Sequence, residues 1–121
     1  MAKELTIDTF LKTLLNPADS GNTHCPIRKT LDMLSGKWRT QVLYELCRKD
    51  SCRFSELKAR IPKITNTMLT TTLRDLEKKG VVSRTQFNEV PPHVEYSLTE
   101  KGKDLLPVFY EIAKWSEKYG E

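Results

Sequence analysis

The stretch Ile64–Leu98 constrains the fold more than any other part of the chain, because a helical pattern runs directly into two β-type runs. Its leucines recur at the spacing of one buried helix face from Thr65, whose hydroxyl can cap a helix, to Lys79. Gly80 then supplies a C-terminal stop. A helix that leads straight into a short hairpin is how a winged helix-turn-helix presents a reading helix and a clamp to duplex DNA. The order of elements therefore favours DNA binding.

The two β-type runs are Val81–Phe87 and Val94–Leu98, and the second alternates apolar and polar residues as a half-buried strand does. The polar and proline-containing residues 88–93 lie between them. These residues are predicted to form the tip of the wing, with His93 on it.

Other helices are predicted from apolar spacing and helix breakers, at residues 5–15, 26–35 and 38–48, and in a short segment that Ser55 caps. A final helix begins near Thr99 or Pro107 and carries an apolar surface wider than one stripe. The predicted fold class is α+β, mainly α: a winged helix-turn-helix domain with extra helices at both ends. The predicted division is an N-terminal helix and linker for dimerisation (1–24), a DNA-binding domain (25–104) and a C-terminal dimerisation helix (105–121).

At 121 residues the chain supports one folded domain, and a domain of this size often gains stability by pairing. No apolar run approaches the roughly 20 residues that cross a bilayer, and the first residues lack the layout of a secretory signal. The expectation is a cytoplasmic protein with no membrane partner.

Positive charge is concentrated in the middle of the chain. Residues 26–84 hold 14 Lys and Arg against 6 Asp and Glu, whereas the segments on either side are mildly acidic. A polyanion such as DNA fits this distribution, although a solvated basic face has the same composition.

The predicted reading helix presents polar residues opposite its leucines. Arginine can make two hydrogen bonds to guanine, asparagine can pair with adenine, and threonine methyl groups can touch the thymine methyl. The predicted base-reading residues are Asn66, Thr67, Thr70, Thr71 and Arg74. Threonines can also be merely solvated, but four of them within Thr67–Thr72, all expected on the surface, are poor helix formers and favour another use.

Cations around this helix are predicted to contact phosphates and to set its register. The predicted backbone and wing contacts are Lys37, Arg39, Arg53, Lys58, Arg60, Lys63, Lys78, Arg84, Gln86 and His93. His93 is the weakest of them, because an imidazole attracts a phosphate only when it is protonated.

Three cysteines without a C-x-x-C pair indicate neither a disulfide framework nor a zinc site. Cys25 precedes Pro26 at a predicted helix N-terminus, and cations in the next turn would stabilise its thiolate. A reactive thiol and an inert helix cap both fit this position, and Cys47 is expected in the core. The spacing of His24, Cys25, Cys52 and His93 matches no zinc pattern. No phosphate loop, nucleophile elbow or cofactor motif is present in the sequence, so neither an enzyme nor a cofactor is expected.

Several motifs in order resemble the HxlR-type winged-helix regulators over about residues 24–118. They are Cys25-Pro26-Ile27, Leu34-Ser35-Gly36-Lys37-Trp38, Phe54-Ser55-Glu56-Leu57, Met68-Leu69, Leu73-Arg74-Asp75-Leu76-Glu77 and Val90–Thr99. The resemblance implies a transcription factor that binds double-stranded operator DNA as a homodimer through its terminal helices. Residues expected at that interface are Leu5, Phe10, Leu11, Leu14, Phe109, Ile112 and Trp115. It also implies that Cys25 lies where some members sense oxidants, quinones or aldehydes.

Two other classes of protein remain as alternatives. A winged helix can use its basic face for an acidic protein partner, without sequence-specific DNA binding. A small redox enzyme centred on Cys25 would lack a resolving C-x-x-C partner and a recognisable substrate site. A preference among DNA sequences would separate the regulator from the protein-interaction module.

Overall fold

The structure is a computed structural model that describes residues 5–15 and 27–120. Its elements confirm an α+β fold that is mainly helical, with one small sheet. In chain order they are α1 (Ile7–Leu15), α2 (Arg28–Leu34), α3 (Arg39–Arg48), β1 (Cys52–Arg53), α4 (Phe54–Arg60), α5 (Asn66–Lys78), β2 (Val82–Phe87), β3 (His93–Leu98), α6 (Glu100–Lys103) and α7 (Leu106–Tyr119). The described residues before Leu34, and those from Leu34 onward, form two compact units.

The reading helix α5 begins and ends where local chemistry predicts. The Thr65 hydroxyl accepts a hydrogen bond from the backbone N–H of Met68 at 3.0 Å, which satisfies one of the unpaired donors in the first turn. After the helix, Gly80 takes a φ of +80°, a conformation that costs glycine little. The predicted helix and its two boundaries are confirmed.

Two helix predictions are wrong in detail. Helix α4 begins at Phe54 rather than after a Ser55 cap, because the Glu56 carboxylate accepts a hydrogen bond from the backbone N–H of Arg53 at 2.8 Å. The final helix is two helices: Thr99 caps α6 by accepting from the N–H of Gly102, and Pro107 lies in the first turn of α7.

The three strands form an antiparallel sheet in the order β1-β3-β2. In the wing hairpin, residues pair in register from Val82 opposite Leu98 to Phe87 opposite His93. Strand β1 completes the sheet by pairing with the middle of β3. The hairpin is therefore joined to the segment that leads into α4.

The core of the larger unit lies where α3, α4, α5 and the sheet meet. Its largest fully buried side chains are Leu43, Leu57, Ile61, Leu69, Leu73 and Leu76. Burying such side chains stabilises the fold by roughly 1.5–3 kcal/mol each. This packing fixes the direction in which the opposite face of α5 points.

Candidate nucleic-acid interface

Helix α5 has one buried and one exposed face. Leu69, Leu73 and Leu76 are buried, and the five predicted base-reading residues lie away from them. Of these five, Asn66, Thr67, Thr71 and Arg74 are exposed and Thr70 is half-buried. The structure therefore brings the predicted reading residues together on one accessible helix surface.

Two neighbours on α5 differ from the prediction. Thr72 is buried, and its hydroxyl donates to the backbone oxygen of Met68 at 2.7 Å, so it is not one of the surface threonines. Met68 is 42% exposed and was missed as a candidate contact. Its position directly before Leu69, the first residue of the leucine stripe, is the sequence signal that could have identified it.

The turn between α4 and α5 has two buried isoleucines and an exposed lysine. Ile61 and Ile64 are both buried, while Lys63 between them is exposed and takes a φ of +71°. Backbone in this left-handed region is uncommon for a residue with a side chain. The turn thus places Lys63 just before the N-terminus of the reading helix.

Arg39 at the start of α3 reaches the reading helix directly. Its Nη2 atom lies 3.1 Å from Oδ2 of Asp75, the residue that follows Arg74. The guanidinium predicted to contact phosphate is thus also a link between α3 and α5.

The cations of α4 and its surroundings are partly engaged with carboxylates. Arg60 lies 3.9 Å from Glu45, whereas Lys49 forms a 2.6 Å ion pair with Glu56. The backbone N–H of Arg53 and the ammonium of Lys49 hold the pKa of Glu56 below its ordinary value. Among the predicted phosphate contacts on this side, Arg53 and Arg60 are exposed and Lys58 is half-buried.

The remaining predicted backbone contacts are spread around the reading helix. Lys78 is exposed in the last turn of α5, and Arg84 and Gln86 are exposed two residues apart on β2. Lys37 places its ammonium 4.8 Å from the ring centre of Trp38, a cation–π contact.

His93 does not lie on the wing tip. It is the first residue of β3, it stacks on the Phe87 ring, and its nitrogens face the carboxylates of Glu95 and Glu89. The strand pairing extends one residue further than predicted and draws the imidazole out of the loop.

Helices α4 and α5 with their short connection form a basic helix-turn-helix. Together with the exposed polar face of α5 and the neighbouring hairpin, this is the arrangement of a DNA-binding domain. The model for HxlR-like helix-turn-helix proteins matches residues 33–121. The chain belongs to the HxlR-like helix-turn-helix family.

Known relatives of this HxlR-like chain agree with that assignment. The chain is 48% identical over 95 residues to YdeP of Bacillus subtilis, which is described as an uncharacterized HTH-type transcriptional regulator. The matched region covers 78% of this chain and 73% of YdeP. The structure of the redox regulator HypR in its oxidized form superposes with a TM-score of 0.71 at 41% identity, covering 80% of this chain and 99% of HypR. The reduced form of the transcriptional regulator YodB from B. subtilis gives a TM-score of 0.74 at 33% identity, covering 82% and 97%. The chain is a DNA-binding transcriptional regulator of the winged-helix type.

The predicted sensing residue of this HxlR-like regulator, Cys25, lies outside the described residues, as does His24. Burial raises the pKa of the half-buried Cys47 thiol and of the buried Cys52 thiol above their ordinary values, so both are protonated at neutral pH. Cys47 thus lies at the edge of the core rather than fully inside it. Within residues 5–15 and 27–120, no group of three or more His, Cys, Asp or Glu side chains is arranged to hold a metal ion.

The two terminal helices each carry exposed apolar side chains. On α1, Leu11 and Leu14 are exposed and Phe10 is half-buried, and Leu5 just before it is also exposed. On α7 no residue is buried: Ile112 is 52% and Trp115 64% exposed, and Phe109 is half-buried. In the described part of the chain, no helix is both long and apolar enough to span a membrane.

Proposed function

We propose that this regulator binds a specific, pseudo-palindromic operator as a homodimer, with α5 of each protomer in a major groove. The observation that carries the proposal is the exposed polar face of α5, which a continuous apolar core holds outward. In a dimer of this kind the two reading helices enter successive major grooves about 34 Å apart.

Roles within the reading face follow from hydrogen-bonding chemistry. Arg74 can donate two parallel hydrogen bonds to guanine, and Asn66 can pair with adenine. Thr67, Thr70 and Thr71, together with the exposed Met68, offer apolar contacts to thymine methyl groups. The surrounding cations would supply the affinity that does not depend on sequence.

The homodimer is supported by apolar surface that a single chain leaves in water. Six large apolar or aromatic side chains of α7 are exposed to at least 39%. Leu5 and α1 add a second apolar surface, on the smaller unit. Exposed apolar patches of this kind mark interaction sites, and a second copy of the chain would cover them.

A role for Cys25 as an oxidant- or electrophile-sensing thiol is the finer part of the proposal. It is supported by the likeness to HypR, which is described as a redox regulator with an oxidized and a reduced form. Because burial disfavours thiolates at Cys47 and Cys52, Cys25 is the cysteine left to react.

Fluorescence anisotropy with the duplex upstream of the protein's own coding sequence, against a shuffled duplex of equal composition, tests the function. We expect tighter binding to the upstream duplex, and Arg74→Ala should weaken only that binding, by roughly 1–3 kcal/mol. Lys103→Ala is the control, because it removes an exposed cation of α6 that is not among the proposed DNA contacts.

Equal binding of both duplexes would contradict sequence-specific recognition and favour the protein-interaction alternative. Repeating the titration after treatment with diamide or a quinone tests the sensor. A changed affinity that Cys25→Ser abolishes supports it, whereas an unchanged affinity keeps the regulator and removes the sensor.

A further inference from the structure

His93 is held in a fixed place by the last residue pair of the wing hairpin. It lies opposite Phe87 in the register of β2 and β3. The two rings stack with centres 4.7 Å apart and planes inclined by 16°. Only 15% of the His93 side chain is exposed. Because the ring face stacks on Phe87, the two ring nitrogens of His93 make its polar contacts.

Each ring nitrogen faces a different carboxylate. Nε2 lies 3.0 Å from Oε2 of Glu95 on the same strand, and Nδ1 lies 3.5 Å from Oε2 of Glu89 in the wing loop. These are one close hydrogen bond and one longer ion-pair distance. His93 therefore connects the loop, through Glu89, to the rigid part of the sheet, through Glu95.

Glu95 is the fixed side of this connection. Its Oε1 atom accepts a hydrogen bond from the Ser51 hydroxyl at 2.8 Å, and Arg53 of β1 lies opposite it in the register. The hydrogen bonds from Ser51 and from His93, aided by the charge of Arg53, lower the pKa of Glu95. Glu95 is thus an anion at neutral pH, whereas Glu89 is 61% exposed and sits in a loop.

The number of protons on the ring decides whether both contacts are attractive. A neutral imidazole has one N–H and one lone pair, and the protonated ring has two N–H donors. When Nε2–H donates to Glu95 in the neutral ring, the lone pair of Nδ1 faces the Glu89 carboxylate.

We propose that His93 is a positioning residue that fixes the wing loop when doubly protonated and releases Glu89 when one proton is lost. The charge on His93, Glu89 and Glu95 together then changes from −1 to −2. A released carboxylate beside DNA phosphates repels them, so DNA affinity falls as pH rises. The effect on DNA rests on the proposed DNA-binding function, whereas the effect on the loop does not.

The loop is tested first, in the DNA-free protein. Backbone ¹⁵N heteronuclear NOE values of Asn88, Glu89 and Val90 report its motion at about pH 5.5 and about pH 8, and the ring-proton shifts of His93 report its protonation at each pH. We expect an ordered loop at the lower pH and a more mobile loop at the higher pH. In Glu89→Gln the difference disappears, because residue 89 carries no charge at either pH. His24→Gln, which removes the other histidine of the chain, retains it.

Two results would overturn the proposal in this experiment. One is a wild-type loop equally ordered at both pH values. The other is a pH response that Glu89→Gln leaves intact. Glu89→Gln changes an exposed loop residue, so its fold is preserved even where His93→Gln disturbs the hairpin, and far-UV circular dichroism checks both variants.

DNA affinity is measured next, with the upstream duplex at the same two pH values. Wild type should bind about two- to fivefold more weakly at the higher pH, the ratio that a partly exposed ion pair supports. His93→Gln and Glu89→Gln should flatten this dependence, and His24→Gln should not. Specific binding with no pH response in wild type would leave the regulator standing and reject the role of His93. A pH-dependent loop without any DNA preference would reject the function and keep the positioning role.

Discussion

Arg39 and Asp75 join the start of α3 to the reading helix through a 3.1 Å contact between Nη2 and Oδ2. Asp75 follows Arg74 along α5, so the ion pair opposes rotation of the helix next to Arg74. The two side chains are 28% and 43% exposed, and solvent therefore screens their attraction. The pair orients the reading face more than it stabilises the fold.

Removing this ion pair should therefore cost little stability. In a double-mutant cycle with Arg39→Met and Asp75→Asn, urea unfolding should give a coupling energy of about 0.2–1 kcal/mol. A coupling energy of zero would mean that the contact does not hold the two helices in solution.

The same two variants separate orientation from phosphate binding. If Arg39 only orients α5, Arg39→Met and Asp75→Asn should weaken DNA binding equally and leave its salt dependence unchanged. Where Arg39 also contacts phosphate, Arg39→Met should weaken binding more and flatten the salt dependence.

Lys58 provides a direct test of the predicted phosphate contacts. Lys58→Ala should weaken binding to the operator and to shuffled DNA alike, and should reduce the slope of log K against log salt by about 1. The measurement is anisotropy over a series of salt concentrations. Lys103→Ala, an exposed lysine of α6, serves as the control. Equal slopes for wild type and Lys58→Ala would remove Lys58 from the interface.

Local rules were sufficient to predict the reading helix and the wing. The leucine stripe, the Thr65 cap and Gly80 act within a few residues of one another, so their outcome can be read along the chain. The N-cap of α4 is Arg53 rather than the predicted Ser55, because the Glu56 carboxylate accepts the hydrogen bond of the Arg53 backbone N–H.

Contacts between residues that are distant in the sequence are not predicted by rules that act within a few residues. Arg39 and Asp75 are 36 positions apart, and Ser51 and Glu95 are 44 apart. Only the packing of α3 on α5 and the pairing of β1 with β3 bring them together. The sequence predicts His93 in the loop for the same reason, since strand register decides whether a residue at a loop boundary joins the sheet.

The raised pKa values of Cys47 and Cys52 predict selective labelling of the native protein. A thiol held as the neutral form reacts slowly, so iodoacetamide near neutral pH should modify Cys25 first. Raising the pH toward the thiol pKa values should increase labelling of the other two, and urea should expose all three. Intact-mass spectrometry of wild type and Cys25→Ser counts the modified sites. Rapid labelling of native Cys25→Ser would contradict the assignment of Cys25 as the reactive thiol.

The proposed homodimer contact through α7 predicts that a single charge introduced into this face will separate the protomers. Ile112 is 52% exposed in the single chain, and a glutamate in its place would have to enter the proposed dimer interface without a partner. Ile112→Glu should therefore shift the protein from dimer to monomer in sedimentation-velocity experiments, and should weaken operator binding, because one protomer reads only half a site. Tyr44→Glu introduces the same charge at a 56% exposed aromatic position of α3 and should leave the dimer intact. A dimer that survives Ile112→Glu would show that α7 is not the main contact, and would direct attention to Leu11 and Leu14 of α1.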